Sequence, residues 1–371
     1  MNQAVVHLAT AQALLPSGWD GLAGPDDVFL TGRWLRVVEA VHATAPRYLW
    51  CERGGRITAG LATIVADASA PWVMGRPDAI VAASVSASRA GAARLLDEVG
   101  GDPATLLPSL ALGGRHIGHT RVLHDGTDPA GDTRLLLDAA ADLARESGCV
   151  SLALPYLDET DHGLESALAA RGWRSCVVGR YHRLAVPADG FSGWLAGLTS
   201  KRRNSVAAER RRVAAAGVRI ARTTVAGLPD LVAAARLEAG LLGRYGIEWP
   251  VERAASILSL VGGQFGDDAI VLAAYAGDAL VGFTLVLAYG DQWYARQAGF
   301  DYSFQRTHRA PLYFELCYYR MLELAADAGI RTIHYGLGSE DAKMWRGCVS
   351  TEQRCWVGPV APAEPGKGGA P

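Results

Sequence analysis

The sequence predicts a mixed α/β protein made of two tandem copies of one domain, each a mixed sheet flanked by helices, and three observations predict it. The chain has 371 residues, more than the roughly 250 to 300 that a single hydrophobic core organises. A glycine-turned hairpin occurs once in each half. A helix closed by glycine and followed by an apolar strand also occurs once in each half, later in the order.

The hairpins come first. Apolar residues from Tyr48 to Arg53, a Gly54-Gly55 turn and a return from Ile57 to Ala66 form one, because paired glycines accept the positive φ of tight turns. Ile270 to Tyr275, a turn at Ala276-Gly277-Asp278 and Leu280 to Ala288 form the other, with Gly60 and Gly282 at the same offset from their turns. Downstream, LARESGCVSLALPYL (143 to 157) parallels LAADAGIRTIHYGLG (324 to 338), a helix ending near Gly148 or Gly329 before an apolar strand. AARGW (169 to 173) then parallels MWRGC (344 to 348), each closing a short helix before a last strand. The opening strands are antiparallel neighbours, which makes each copy a mixed layer and not a doubly wound sheet.

The offset between copies falls from 222 residues at the hairpin to 181 at the helix. The first copy therefore carries an insertion between about 75 and 135, expected as an elaborated loop. Turn formers in VPADGF (186 to 191) put the domains at 1–189 and 190–360, followed by a disordered tail at 361–371.

Thirty-six basic residues face 38 acidic ones, for a net charge of −2, so any polyanion must meet a local patch and not the whole surface. Six cysteines at 51, 149, 176, 317, 348 and 355 form no C-x-x-C pair, which predicts reduced thiols and excludes a disulfide framework or zinc knuckle. The N-terminus lacks a basic region ahead of an apolar stretch, and no 18-residue apolar run follows. A cytoplasmic protein, neither exported nor membrane-spanning, is expected.

The basic patch is easily found. LTSKRRNSVAAERRRVAAAGV (198 to 218) reads as a helix capped by Ser200 or Thr199 and ended by Gly217. From 200 to 222 one lysine and seven arginines oppose a single acid, Glu209. Val206 and Val213 form its apolar stripe, Arg202 lies beside it, and Arg203 and Arg210 share a neighbouring face. A charge run often just faces water. This density of forked donors instead suits a phosphate-bearing ligand such as a tRNA stem, a nucleoside diphosphate or coenzyme A, with Lys201, Arg202, Arg203, Asn204 and Arg210 as binding candidates.

In HYGLGSEDAKMWRGC (334 to 348) an apolar strand opens into glycines and then Lys343, Arg346 and Gly347. Lys343 is the catalytic candidate, because an ammonium there would stabilise the oxyanion formed when an amine attacks an ester or thioester, and Arg346 is a binding candidate. The alternative for Lys343 is a lysine that merely tops a helix. DYSFQRTHRA (301 to 310) occupies the place of a pyrophosphate-binding loop, but histidine stands where glycine would let the backbone approach. Arg306, His308 and Arg309 are left as anion ligands, and Asp301, His308 and His334 are general-base candidates by location only. His116, His119 and His124 would bind a metal only if the insertion folded around one, and no metal site is assigned. The aromatic run LYFELCYYRMLEL (312 to 324) is expected as core.

The element order is similar to that of GNAT acyltransferase domains. SKRRNSVAAERRRVAAAGV, together with the pattern of Gly338, Lys343 and Gly347, resembles the Fem-like and BioF2-like acyltransferase families. That resemblance implies tandem GNAT folds over nearly the whole chain and an N-acyltransferase that moves an amino acid from aminoacyl-tRNA onto an amine acceptor, in cell-wall precursor or natural-product assembly. It also implies that Arg202 with Asn204, or else Arg203, holds substrate phosphate, and that Lys343 stabilises the acyl ester. No cofactor is implied, since the acyl donor is a co-substrate. An acyl-coenzyme A donor and a non-catalytic RNA-binding module are the alternatives.

Overall fold

The computed structural model describes residues 4–42, 44–70, 72–114 and 120–360. His116 and His119, and the tail at 361–371, lie outside the described residues, so the histidine grouping and the disordered tail are not addressed by it. The chain divides into two compact units, Met1–Tyr181 with Thr351–Pro371, and His182–Ser350.

In the first unit the elements are β1 (Val5–Ala9), α1 (Trp19–Leu22), α2 (Gly32–Val41), β2 (Arg47–Arg53), β3 (Arg56–Ala66), α3 (Pro77–Ser86), α4 (Ala92–Glu98), β4 (Ser109–Leu112), β5 (Leu123–His124), α5 (Pro129–Glu146), β6 (Ser151–Asp158), α6 (His162–Ala170) and β7 (Arg174–Ala185), whose last four residues belong to the second unit. The second unit continues with α7 (Gly190–Gly197), α8 (Ser200–Ala215), β8 (Val218–Thr224), α9 (Leu231–Gly243), α10 (Val251–Phe265), β9 (Ala269–Ala276), β10 (Ala279–Tyr289), β11 (Gln292–Phe300), α11 (Tyr302–His308), α12 (Leu312–Phe314), a π-helical stretch at Glu315–Arg320, α13 (Met321–Asp327), β12 (Thr332–Gly336) and α14 (Glu340–Met344). The last strand, β13 (Val349–Pro359), returns to the first unit.

Both units pair their strands by one scheme. In the first, β1, β2, β3 and β4 are successively antiparallel, β4 and β6 are parallel, and β6 and β13 are antiparallel. In the second, β8, β9, β10 and β11 are antiparallel, β11 and β12 are parallel, and β12 pairs antiparallel with His182–Ala185 of β7. The duplication is thus visible in the hydrogen-bond ladders as well as in the sequence.

Two sequence expectations differ from what is seen. The 75–135 segment is not an elaborated loop but carries α3, α4, β4, β5 and the start of α5, because its apolar residues, Ile80, Val81, Leu95, Leu110 and Leu112 among them, are buried and their main-chain groups need partners there. Placing 190–360 together also differs from the observed division, since Gln353–Pro359 complete a ladder on β6 of the first unit. Nothing local to a strand's sequence names the strand it will pair with.

Paired glycines answer to specific crowding. Gly54 and Gly55 turn the first hairpin at φ 56° and 78°, and Gly277 turns the second at 58°. Gly60 sits under Trp19, whose ring lies 2.8 Å from where a Cβ would be. In the second unit, α7, α8, α12 and α13 share one core with the sheet, through Trp194, Val206, Val213, Leu272, Trp293, Leu312 and Leu322. Helix α9 packs on β10 and β11 from the other face. It comes so close that a Cβ at Gly299 would lie 2.4 Å from the Leu237 carbonyl carbon. That contact fixes α9 over the end of β11.

Candidate functional site

The arginine helix folds where its sequence predicts. Thr199 caps α8, its hydroxyl accepting from the Arg202 amide at 3.4 Å, and Gly217 closes it at φ 67°. Val206 and Val213, seven residues apart, are both buried. With that face committed to the core, the basic residues divide into two groups. Arg203 donates to the carbonyls of Leu198 and Ala196 and to the Ser200 hydroxyl, tying the helix start to the preceding turn. Arg210 pairs with Glu315 at 3.2 Å and Glu323 at 2.7 Å and covers the Phe191 ring. Both differ from the expected phosphate ligands, because each spends its guanidinium on partners within the second unit. Lys201, Asn204, Arg211 and Arg212 are exposed.

Arg202 lies with its guanidinium carbon 4.4 Å from the centre of the Trp345 ring. These two side chains stand at the mouth of a narrow cleft of about 10 Å³, lined also by Ser205, Glu209, Tyr319 and Arg346, room for a single water. Arg346 is buried, donating at 3.2 Å to both the Glu209 carboxylate and the Tyr319 hydroxyl. The Tyr319 hydroxyl itself donates to Glu209, and burial followed by that bond pushes the phenol well above its usual range. Phe314, at 3.4 Å from ring centre to guanidinium carbon, and Tyr318, at 5.2 Å, box Arg346 in. Such cation–π contacts gain strength when desolvated. Arg346 Nε has no acceptor among the described residues. The π-helical stretch, a feature frequent at functional sites, supplies Tyr318 and Tyr319. The aromatic run is core as expected, yet it also furnishes the cleft, and no periodicity in its sequence signals that second use.

Lys343 follows the same segment inward. It is 3% exposed, and its ammonium donates to the carbonyls of Tyr335 at 2.8 Å, Gly336 at 2.8 Å and Leu337 at 2.7 Å. Burial pulls it down to about 8, so it remains mostly protonated at neutral pH with all three hydrogens engaged. The expectation of an ammonium open to a substrate oxygen is not what the structure shows, because three carbonyls of the preceding turn take up its hydrogens. Gly336 and Gly338 around this turn adopt φ of 66° and 76°. Arg202, Trp345 and Arg346 are therefore brought together, and Lys343 anchors the turn that precedes them.

Glu238, which the sequence reading passed over, is the most perturbed carboxylate of the second unit. Strands β11 and β12 pair over only three residues, Gln292–Tyr294 against Thr332–His334. Just beyond, the β10 ladder slips between Leu285 and Val286, opposite Ala295 and Gln297. A bulge of this kind re-aims side chains. Gln297 Nε2 meets both oxygens of Glu238 on α9 at 2.9 Å, while Gln297 Oε1 is buried with no partner among the described residues. Burial pushes the Glu238 carboxyl up to about 7, with Gln297 and then Arg296 drawing it back. An isolated glutamate in an apolar helix carries no sequence signal until a bulged strand faces it.

The remaining candidates have ordinary occupations or stand in water. Asp301 caps α11, accepting from the Phe304 amide at 2.9 Å. His334 is 1% exposed, bonded to Gln292 and stacked on Tyr294 at 4.3 Å. Arg306, His308 and Arg309 are exposed around α11. The expected loop at 301–310 is thus largely the helix α11, and several of its amides are bonded within the segment: Gln305 on Asp301, Arg309 and Ala310 on Gln305, Leu312 on Ala310. All six cysteines are buried and free. No helix among the described residues is long and apolar enough to cross a membrane.

Comparison with known proteins fits this geometry. A tandem GNAT protein from the clavulanic acid biosynthesis pathway, 14% identical, superposes over 98% of this chain and 100% of its own with a TM-score of 0.56. FemX, 10% identical, superposes over 95% and 96% with a TM-score of 0.60. The C-terminal domain of a putative lysylphosphatidylglycerol synthetase from Agrobacterium fabrum, 11% identical, does so over 91% and 90% at 0.51. These likenesses establish the tandem GNAT fold. No curated protein matches the chain. The FemAB-like model, described as peptidoglycan biosynthesis and recognition, matches residues 116–357, and the chain therefore belongs to the FemAB-like family and is an acyltransferase.

Proposed function

We propose that this acyltransferase forms an amide bond by moving an aminoacyl group from an aminoacyl-tRNA onto an amine acceptor in the assembly of a peptidoglycan precursor or a related natural product. The observation that carries the choice of donor is the 301–310 segment, folded as α11 where a pyrophosphate loop was expected. With the amides of Phe304, Gln305, Arg309 and Ala310 bonded within the segment and His308 standing where a glycine would let the backbone approach, it is a poor backbone cradle for a pyrophosphate, and this disfavours coenzyme A as the carrier.

The chemistry follows from the residues. The acceptor nitrogen attacks the ester carbonyl, forming a C–N bond and an oxyanion. Its surplus proton passes to Glu238, the one carboxylate here that burial brings near neutrality. The C–O bond to the ribose then breaks, and the leaving oxygen takes a proton back. Lys343 acts through the main chain: by drawing the carbonyls of 335–337 inward it turns the planar peptides' N–H groups of Leu337 and Gly338 the opposite way, as donors to the oxyanion. Arg202 and Trp345 at the cleft mouth take substrate phosphate or a planar group.

An acyl-coenzyme A donor is the second reading, favoured by the exposed side chains of Arg306, His308 and Arg309 at that corner. The two are separated by incubating the enzyme with amine acceptors and aminoacyl-tRNA carrying a radiolabelled amino acid. Amide product that vanishes on prior ribonuclease treatment supports the proposal. Equal acylation from an acyl-coenzyme A with no RNA present overturns it.

A further inference from the structure

Strand β8 is an open edge: among the described strands it pairs with β9 alone. Edges of this kind are commonly blunted with charge, and this one carries Arg219 and Arg222, both exposed and neither in an ion pair among the described residues. They line a cavity of about 410 Å³ with Thr223, Gly227, Tyr275 and a single acid, Asp278. Arg219 lies over the Tyr275 ring, 4.8 Å from its centre, so the far side of the guanidinium faces outward. Gly227 keeps the wall close, since a Cβ there would sit 2.2 Å from the Thr223 hydroxyl.

This pocket takes up the part of the basic run that the cleft leaves over. Arg203 and Arg210 are spent inward, whereas Arg211, Arg212, Arg219 and Arg222 point to solvent along α8 and the strand that follows it. A cation backed by an aromatic ring, beside a second cation and a hydroxyl, fits a base stacked on a guanidinium with its phosphate gripped alongside. We propose that the β8-edge pocket is an RNA-binding subsite, separate from the Glu209–Arg346 cleft, that holds a single-stranded stretch of the donor RNA through Arg219, Arg222 and the Tyr275-backed stacking surface. This rests on the reading that the donor is RNA-borne.

The test is the salt dependence of binding, followed by fluorescence anisotropy with a labelled single-stranded RNA oligonucleotide and with tRNA. Each phosphate contact contributes about 0.7 to the slope of log K against log salt for a single strand. Arg219→Ala with Arg222→Ala should lower the slope by about 1.4, shrinking the affinity lost between 50 and 200 mM salt by about sevenfold. The pair Arg219→Lys and Arg222→Lys should keep the slope and still bind more weakly, because charge remains while stacking is lost. An unchanged slope in the alanine pair, with wild-type protein binding RNA, overturns the subsite and leaves the RNA donor standing. Wild-type protein that binds neither RNA overturns both, whereas tight binding of inorganic phosphate at the pocket with no preference for the oligonucleotide overturns the subsite alone. Circular dichroism of each variant confirms that the fold is kept.

Discussion

Replacing Lys343 by methionine separates an anchoring role from direct contact with the reacting atoms. Methionine fills the stem's volume but leaves the carbonyls of Tyr335, Gly336 and Leu337 without the donor they now share, at a position 3% exposed. An unsatisfied buried acceptor costs about 1 to 3 kcal/mol, and relief of the ammonium's own desolvation offsets part of the total. The net expectation is about 3 to 5 kcal/mol, the range for breaking a buried charged interaction. For a unit the size of His182–Ser350, each kcal/mol moves Tm by about 2 to 4 °C, so differential scanning calorimetry should find a fall of about 6 to 20 °C. Single-turnover transfer well below the new Tm should lose rate as well, because the amides of Leu337 and Gly338 are no longer held in place. A variant with Tm unchanged and a rate lowered by about 10² to 10³, the effect of removing an oxyanion donor, would refute the anchoring argument and restore Lys343 as a direct contact.

Three further outcomes follow from other contacts. Glu238 holds its proton up to about 7 in the folded state against an ordinary 4.5, so the stability it contributes is complete below about pH 4.5 and is lost as pH rises towards 7, a change of about 3 kcal/mol; transfer should rise over the same span, and Glu238→Gln should flatten both curves in urea titrations and pH–rate profiles, while curves unaltered by that substitution would exclude this carboxyl. Gly299→Ala should destabilise by at least about 1 to 3 kcal/mol in chemical denaturation, because its methyl would meet the α9 backbone at 2.4 Å, and a neutral effect would show that α9 is not pinned there. Arg210→Met should lose about 1 to 3 kcal/mol by stranding the buried Glu315 without changing the salt slope of RNA binding, and a flattened slope would return Arg210 to the phosphate ligands.

Much of the fold was legible because it depends on short-range rules. Glycine pairs at 54–55 and Gly277 mark hairpins whatever surrounds them, and Val206 with Val213 fixes the buried face of α8. Pairing partners were not legible: β13 carries no mark that sends it to β6. The site divides in the same way. Local charge and glycine spacing single out Arg202 and Arg346, which line the cleft, but neither marks Trp345 or shows how each cation is used. Arg203, Arg210 and Lys343 differ from Arg219 and Arg222 only in what lies within a few ångströms of them: Glu315 and Glu323 reach Arg210 from remote positions in the chain, while Arg203 and Lys343 are claimed by carbonyls a few residues away whose direction depends on how the turns fold. Glu238 was invisible for the same reason, since its perturbation needs burial against the bulge in β11.

The most direct test offers both donors at once: aminoacyl-tRNA bearing a heavy-isotope amino acid and acetyl-coenzyme A bearing a heavy-isotope acetyl group, with a panel of amine acceptors and mass-spectrometric readout of the amides. The account predicts products labelled in the amino acid, lost in the Glu238→Gln enzyme above pH 7. Products labelled in the acetyl group alone would contradict it.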